Sequence, residues 1–317
     1  KLFLFLLVIG VIIGLIFKSI EEKPQVVIKD KAYVVIDLAN SYKERSLSSS
    51  LFEDDSINFY NLLTNIKNLS FDDKVSGVVL KLNSNSLSYA QSEELAQELS
   101  MLRGADKKVI AYFENVNRKN YYLASYADEI YMPSANSTSV NIYPYFREEF
   151  YTKKLSDKFG VKFNIIHVGD YKSYQENLAK DTMSKEARED STRILNLNYE
   201  NFLDIVSLNR KLNRDDLDKI IKDGDLVAAS SIDLFSNKLI DKYSYWDNLV
   251  TLLGGKDKLI SIQDYAKNYY QEATLDDSNN IVYVIPLEGD IVEAQTEIFS
   301  GEAAINVNET IAKLNIA

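Results

Sequence analysis

The chain contains no cysteine and a single histidine, His167, in 317 residues. Without cysteine there is no disulfide, no thiolate metal site and no thiol nucleophile. With one histidine, a His-rich metal site is excluded, and a Ser-His-Asp triad has only His167 to draw on. Positive charge is also short: Lys+Arg number 36 against 47 Asp+Glu, a formal net charge of −11. An acidic chain with no clustered basic face lacks the electrostatic footprint of a nucleic-acid binder, so no nucleic-acid partner is expected. What is present is an ordinary globular balance, 46% hydrophobic and 26% charged. That length suits one large or two ordinary domains.

The longest hydrophobic run is at the start. Residues 2–17 are apolar or glycine throughout, flanked by Lys1 and Lys18. A bilayer span takes about 20 residues, and Ile20 extends the run past Lys18, whose stem can snorkel. A cleaved signal peptide would have a shorter core followed by a small-x-small site. The sequence KSIEEKP after Phe17 offers none. Residues 1–20 are therefore expected to form an uncleaved transmembrane signal anchor, and 21–31, charged and containing Pro24, a linker.

From residue 32 onward, strand-like and helix-like segments alternate. Strands are expected at 32–38 (AYVVIDL), 75–82 (VSGVVLKL), 108–113 (KVIAYF), 129–132 (EIYM) and 162–168 (KFNIIHV). Helices are expected at 57–68, 92–103, 121–126 and 147–159, with a long one over 185–209 capped by Ser184. Alternation of this kind implies an α/β fold with a mostly parallel sheet, its strands covered on both faces.

The end of the chain echoes its beginning. AYVVIDL at 32–38 is matched by IVYVIPL at 281–287, and FYNLLTNIKN at 59–68 by NVNETIAKLN at 306–315, an offset of roughly 250 residues. The pattern predicts one whole domain over 32–275 and the opening of a second, truncated one over 280–317. A lone strand and helix cannot bury a core, so 280–317 is expected to lean on the first domain or to be loosely ordered.

Few segments suggest chemistry. Lys172 lies in HVGDYKSYQEN, just past a strand whose carboxyl end is where open α/β sheets bind ligands. A lysine packed among tyrosines such as Tyr171 and Tyr174 can be partly desolvated, and a neutral lysine can serve as general base to a serine. Spacing alone favours a solvated surface lysine. His167 reads as a hydrogen-bonded structural residue. Asp72-Asp73 and Asp215-Asp216 read as helix-start acids rather than metal ligands, and Gly254-Gly255 as a turn.

The stretches VGDYKSYQEN (168–177), DTMSKEAREDS (181–191) and NYENFLDIVSLNR (198–210) resemble the signal peptide peptidase A (protease IV) family. YYLASYADEIYMPS (121–134), YFREEFYTKKLSDKFGV (145–161) and LFSNKLID (234–241) add to the likeness. The resemblance covers about residues 32–317, and Met183, Ser184, Arg188 and Glu189 fall on the family's helix-start pattern.

It implies a crotonase-like (ClpP-like) α/β spiral, doubled in long members, with a general-base lysine in the first domain and a nucleophilic serine in the second. Lys172 falls on that lysine, and Ser173 is a residue that could orient it. Arg118, in NRKNYY (117–122), stands where a serine would be. Asn85, Ser86 and Leu87 replace a Pro-Gly-Gly loop that would help to form an oxyanion hole. A first domain of this kind supplies neither nucleophile nor oxyanion hole. The family reading is a Ser/Lys-dyad serine endopeptidase, oligomeric and anchored in the bacterial inner membrane with its catalytic domain extracytoplasmic. It acts on peptide substrates, the remnants of signal peptides, and implies no cofactor and no metal. On this reading residues 1–317 alone are inactive. A non-catalytic scaffold or peptide-capture domain is the alternative. A crotonase-type acyl-CoA enzyme is disfavoured, because NSNSLS (83–88) is a poor source of paired oxyanion donors.

Overall fold

The computed structural model of the chain describes residues 27–44, 57–135, 138–268, 285, 287, 289–292 and 304–316. In chain order its strands are β1 (Ala32–Asp37), β2 (Val75–Lys81), β3 (Lys108–Tyr112), β4 (Asn115–Asn117), β5 (Glu129–Met132), β6 (Ser139–Asn141), β7 (Val227–Ala229), β8 (Lys242–Tyr243), β9 (Leu259–Ser261), β10 (Asp290–Val292) and β11 (Ala304–Asn306). Six of them form one sheet in the order β8-β5-β3-β2-β1-β9, and every neighbouring pair is parallel. Parallel neighbours need crossovers, and the helices supply them. A smaller sheet, β4-β6-β7, adds an antiparallel pair, and β10 pairs with β11 in parallel.

The sheet is covered on both faces, as its apolar runs predict. On one side Val34, Ile36, Val78, Leu80 and Val109 pack against helices Phe59–Phe71 and Tyr89–Gly104. Leu62, Ile66 and Leu69 recur at helical spacing on the first of these helices and are fully buried. Both helices carry side-chain N-caps. Asn58 accepts from Asn61 N, and Ser88 and Gln91 form a reciprocal capping box. On the other side Val79, Ile110, Tyr112 and Tyr131 meet Leu249 of helix Trp246–Leu252, and Trp246 stands edge-on to Tyr112 at 5.2 Å.

The 26-residue helix Lys185–Arg210 is the longest element, about 39 Å at 1.5 Å per residue. Ser184 is its N-cap and accepts from Ala187 N. Tyr199, Phe202, Leu203 and Val206 sink its second half into the main core. At its end Arg210 is almost fully buried and grips Asp241 at 2.7 and 3.1 Å, while Asp241 also accepts from Ile130 N at 2.8 Å. This bidentate pair fastens the helix to the edge of β5.

The structure corrects two expected elements. Only Lys153–Lys158 of the helix expected over 147–159 is helical. Upstream of it the backbone bonds elsewhere: Thr152 N donates to Asn177 O, and Phe150 O accepts from Asn177 Nδ2. Arg147 reaches across to Ser191 Oγ at 2.8 Å. The strand expected over 162–168 is absent, because no neighbouring backbone pairs with it among the described residues. Most of its apolar side chains face outward, Ile166 being 87% and Val168 94% exposed, with Ile165 half-buried.

Among the described residues no helix is long and apolar enough to cross a membrane. The expected anchor over 1–20 lies outside them, as do residues 281–284 of the expected repeat strand. The expected repeat helix at 306–315 corresponds to helix Val307–Ile316.

Candidate active site

Lys172 sits on a loop between the unpaired 162–168 segment and the long helix. Gly169 turns the chain with φ +92°, a conformation that glycine adopts at little cost. Lys172 N donates to Gly169 O at 3.3 Å, and Ser173 N to Tyr171 O at 3.0 Å. The Lys172 side chain is exposed, as are Tyr171 and Tyr174 beside it. The expected packing among these tyrosines therefore does not occur within the described residues, and the solvated arrangement holds there. No hydrogen bond joins Ser173 Oγ to Lys172 among them.

The loop is nevertheless fixed. Four residues past Lys172, Glu176 is 3% exposed. Its carboxylate accepts from Ser184 N at 3.1 Å, Ser184 Oγ at 2.7 Å, Lys180 Nζ at 3.0 Å and Tyr151 OH at 3.2 Å. Burial pushes this carboxyl up, but the hydrogen bonds from Ser184 and Lys180 outweigh it and hold the group at about 2. Tyr171 OH adds a weaker tie to Glu189 at 3.3 Å. Sequence reading missed Glu176. Its one available signal was a Glu between the lysine and the Ser184 cap.

A folded-state value below the unfolded one means that the stabilisation is complete above the unfolded value and lost as pH falls through the folded one. The Glu176 contribution, on the order of 3 kcal/mol, should be intact above pH about 4.5 and vanish towards pH about 2. Urea unfolding of parent and Glu176→Gln at several pH values checks this. Their stability difference should be largest near neutrality and close as the pH approaches 2.

Arg118 opens helix Arg118–Ala124. Its guanidinium lies on the Tyr145 ring at 3.3 Å from the centroid, near Tyr143, and donates to Tyr143 O. The loop facing it is closed to substrate chemistry. Ser86 N is bonded to Leu38 O at 2.9 Å, and Leu87 N to Asn85 Oδ1 at 2.9 Å. Lys119 Nζ takes the carbonyls of Asn85 and Leu87 at 3.0 and 2.7 Å. The loop thus turns the Asn85 and Leu87 carbonyls towards a cation, while the N–H groups of Ser86 and Leu87 are engaged elsewhere, the reverse of what an oxyanion hole needs at those positions. Leu87 fills the space as a buried side chain.

The other candidates take ordinary places. His167 is exposed, not the hydrogen-bonded structural residue expected. Asp72 ends a helix rather than starting one, its carboxylate accepting from Lys74 N and Tyr265 OH. Asp215 and Asp216 lie in the first turn of helix Arg214–Lys222, as expected. Gly254 and Gly255 both have positive φ, consistent with a turn.

A sequence model described as "Peptidase family S49" matches residues 101–259, a span that holds the Arg118 helix, the Lys172 loop and the long helix. "Protease 4" of Haemophilus influenzae (strain ATCC 51907 / DSM 11121 / KW20 / Rd) is 29% identical over 261 residues, covering 76% of this chain and 41% of that protein. "Protease 4" of Salmonella typhi is 30% identical over 167 residues, 52% of this chain and 26% of that protein. "Serine protease SPPA, chloroplastic" of Arabidopsis thaliana is 25% identical over 211 residues, 65% and 30% respectively. The chain therefore spans less than half of these relatives' lengths. Its mostly parallel α/β sheet fits a ClpP-like domain. With half of its length matched and the lysine-bearing loop inside the match, the chain belongs to peptidase family S49.

Proposed function

We propose that this chain is the lysine-bearing half of a membrane-anchored Ser/Lys endopeptidase that degrades remnant signal peptides. The observation that carries the reading is the division of labour within one domain. Arg118, at the position the resemblance assigns to a serine, packs on Tyr145, and the 85–87 loop gives its carbonyls to Lys119, while Lys172 stands exposed on a loop tied to helix Lys185–Arg210. Such a domain suits a partner that brings the hydroxyl to the amine.

In this mechanism neutral Lys172 takes the proton from a serine hydroxyl supplied from outside 1–317. The serine oxygen attacks the peptide carbonyl, giving a tetrahedral oxyanion held by N–H groups of the serine's own domain. The lysine ammonium then gives its proton to the leaving amine, and water, deprotonated by the same lysine, releases the acyl group. A general-base lysine must be shielded from water to be neutral. The exposed apolar side chains flanking the loop in sequence, Phe146, Phe150, Phe159, Ile166, Val168 and Tyr174, favour a covering surface of that kind. A second domain beginning at 280–317, with a crotonase-like spiral in each half and homo-oligomeric assembly, would supply it. The anchor over 1–20 would hold the site on the extracytoplasmic face of a bacterial inner membrane, where apolar peptides concentrate.

Residues 1–317 alone should cleave no apolar signal-peptide remnant, whereas the longer protein carrying a serine domain should. Chromatographic detection of cleavage products checks both. Products from 1–317 would mean a nucleophile within it. A longer protein that binds such peptides without cutting them would replace this reading with the peptide-capture one.

A further inference from the structure

A general base works only if its nitrogen is held within hydrogen-bond reach of the proton it removes. Lys172 has no side-chain partner of its own among the described residues, so its position depends on what holds its backbone. The turn bonds Lys172 N to Gly169 O and Ser173 N to Tyr171 O are local and move with the loop. Upstream, residues 162–168 have no backbone partner among the described residues. The one buried anchor is downstream. Glu176 N donates to Ser173 O at 3.1 Å, joining the anchor directly to the turn that carries the lysine. The Glu176 carboxylate then grips both the backbone N–H and the hydroxyl of Ser184. Ser184 caps a helix whose Tyr199, Phe202, Leu203 and Val206 are buried in the main core. Tyr151 OH and Lys180 Nζ fill the remaining acceptor sites. Next to Glu176, Asn177 ties the loop to the 150–152 segment through Thr152 N and Phe150 O.

We propose that Glu176 is a positioning residue for the reaction: its buried carboxylate transmits the rigidity of helix Lys185–Arg210 to the Lys172 turn and sets where the amine stands. The inference rests on the reading of Lys172 as general base. A carboxylate suits the task better than a neutral amide. It accepts four hydrogen bonds from three residues at once and donates none. An amide oxygen has half that capacity, and its NH2 group would face the Ser184 N–H or the Lys180 ammonium, donor against donor.

The test uses the full-length peptidase and a fluorogenic apolar peptide, with competent sites counted by covalent labelling of the serine with a fluorophosphonate. For Glu176→Gln, kcat per labelled site should fall roughly tenfold to a hundredfold, as a displacement of about 1 Å costs. KM should stay within about threefold of the parent. The ascending limb of kcat/KM against pH, which reports the base, should move. A variant with unchanged kcat per labelled site and an unmoved limb, losing only labelled fraction or thermal stability, would reduce Glu176 to a purely structural part. If Glu176→Gln does not fold, Glu176→Asp keeps the charge with a shorter reach and is read by the same two quantities. Lys172→Ala is assayed in parallel. Should it stay active, the general-base reading itself fails. Should it be dead while Glu176→Gln is normal per site, only the positioning role fails.

Discussion

Lys172→Ala in the full-length protein should lower kcat/KM for apolar peptides by roughly a thousandfold or more. In residues 1–317 alone the substitution should leave thermal unfolding unchanged, because there the side chain is exposed and makes no hydrogen bond or ion pair among the described residues. Lys172→Arg separates the possible roles of the amine. A guanidinium keeps the charge and much of the length but does not deprotonate in proteins. If the residue acts only as a cation that attracts substrate, Arg should retain most of the activity. If it takes the serine proton, Arg should be as inactive as Ala. Peptide cleavage followed by fluorescence, beside an unfolding scan of each variant, reads both quantities. Activity within tenfold of the parent in either variant would remove Lys172 from the dyad.

The sheet was legible because its information is local. VSGVVLKL and KVIAYF are apolar on both sides, and such runs occur where a strand is covered on both faces. Ser88 and Gln91, or Ser184 ahead of a helical pattern, signal helix starts through hydrogen bonds made within a few residues. The two failures, over 147–159 and 162–168, share a cause. Both segments carry apolar residues at plausible spacing, but a pattern does not say which surface covers them. Val168 at 94% exposed and Phe150 at 83% have apolar side chains with nothing over them within the described residues. A strand also needs a neighbouring strand, and none lies beside 162–168 among those residues.

The candidate site divides in the same way. The family likeness set Arg118 and Leu87 at the expected positions of a nucleophile and an oxyanion loop, and only with that likeness do their size and chemistry speak against those roles. The structure adds what the residue types alone do not state, that Lys119 occupies the loop carbonyls. Lys172 came from the family likeness, since its spacing alone favours a solvated lysine. Glu176 was invisible for a general reason. Glutamates are rarely buried, and this one is buried only because four donors from three residues, 8 to 25 positions apart for Ser184 and Tyr151, converge on it.

Gly77→Ala poses the sharpest test of the fold, because two arguments predict opposite signs. Gly77 has no positive φ, so alanine suits its backbone, and reduced freedom of the unfolded chain would favour alanine by about 0.4–1 kcal/mol. Packing says otherwise. A Cβ built on Gly77 would lie 2.0 Å from Lys108 O, with Lys108 C and N at 2.8 and 2.9 Å. These are backbone atoms of the neighbouring central strand and cannot swing aside as a side-chain tip would. The register explains the crowding: Ala32 pairs with Val75 but Tyr33 with Gly77, so Ser76 is an extra residue that bulges β2 towards β3. Relief requires β2 and β3 to part in the middle of the six-stranded sheet, and forced overpacking of this kind costs about 1–3 kcal/mol or more. Contact with fixed backbone belongs at the upper end of that range, which exceeds the entropic gain. Gly77→Ala should therefore lower the urea midpoint by an amount equivalent to roughly 2–3 kcal/mol, with Gly77→Val worse. A midpoint equal to or above the parent's would mean that the bulge yields easily and that glycine is not required there.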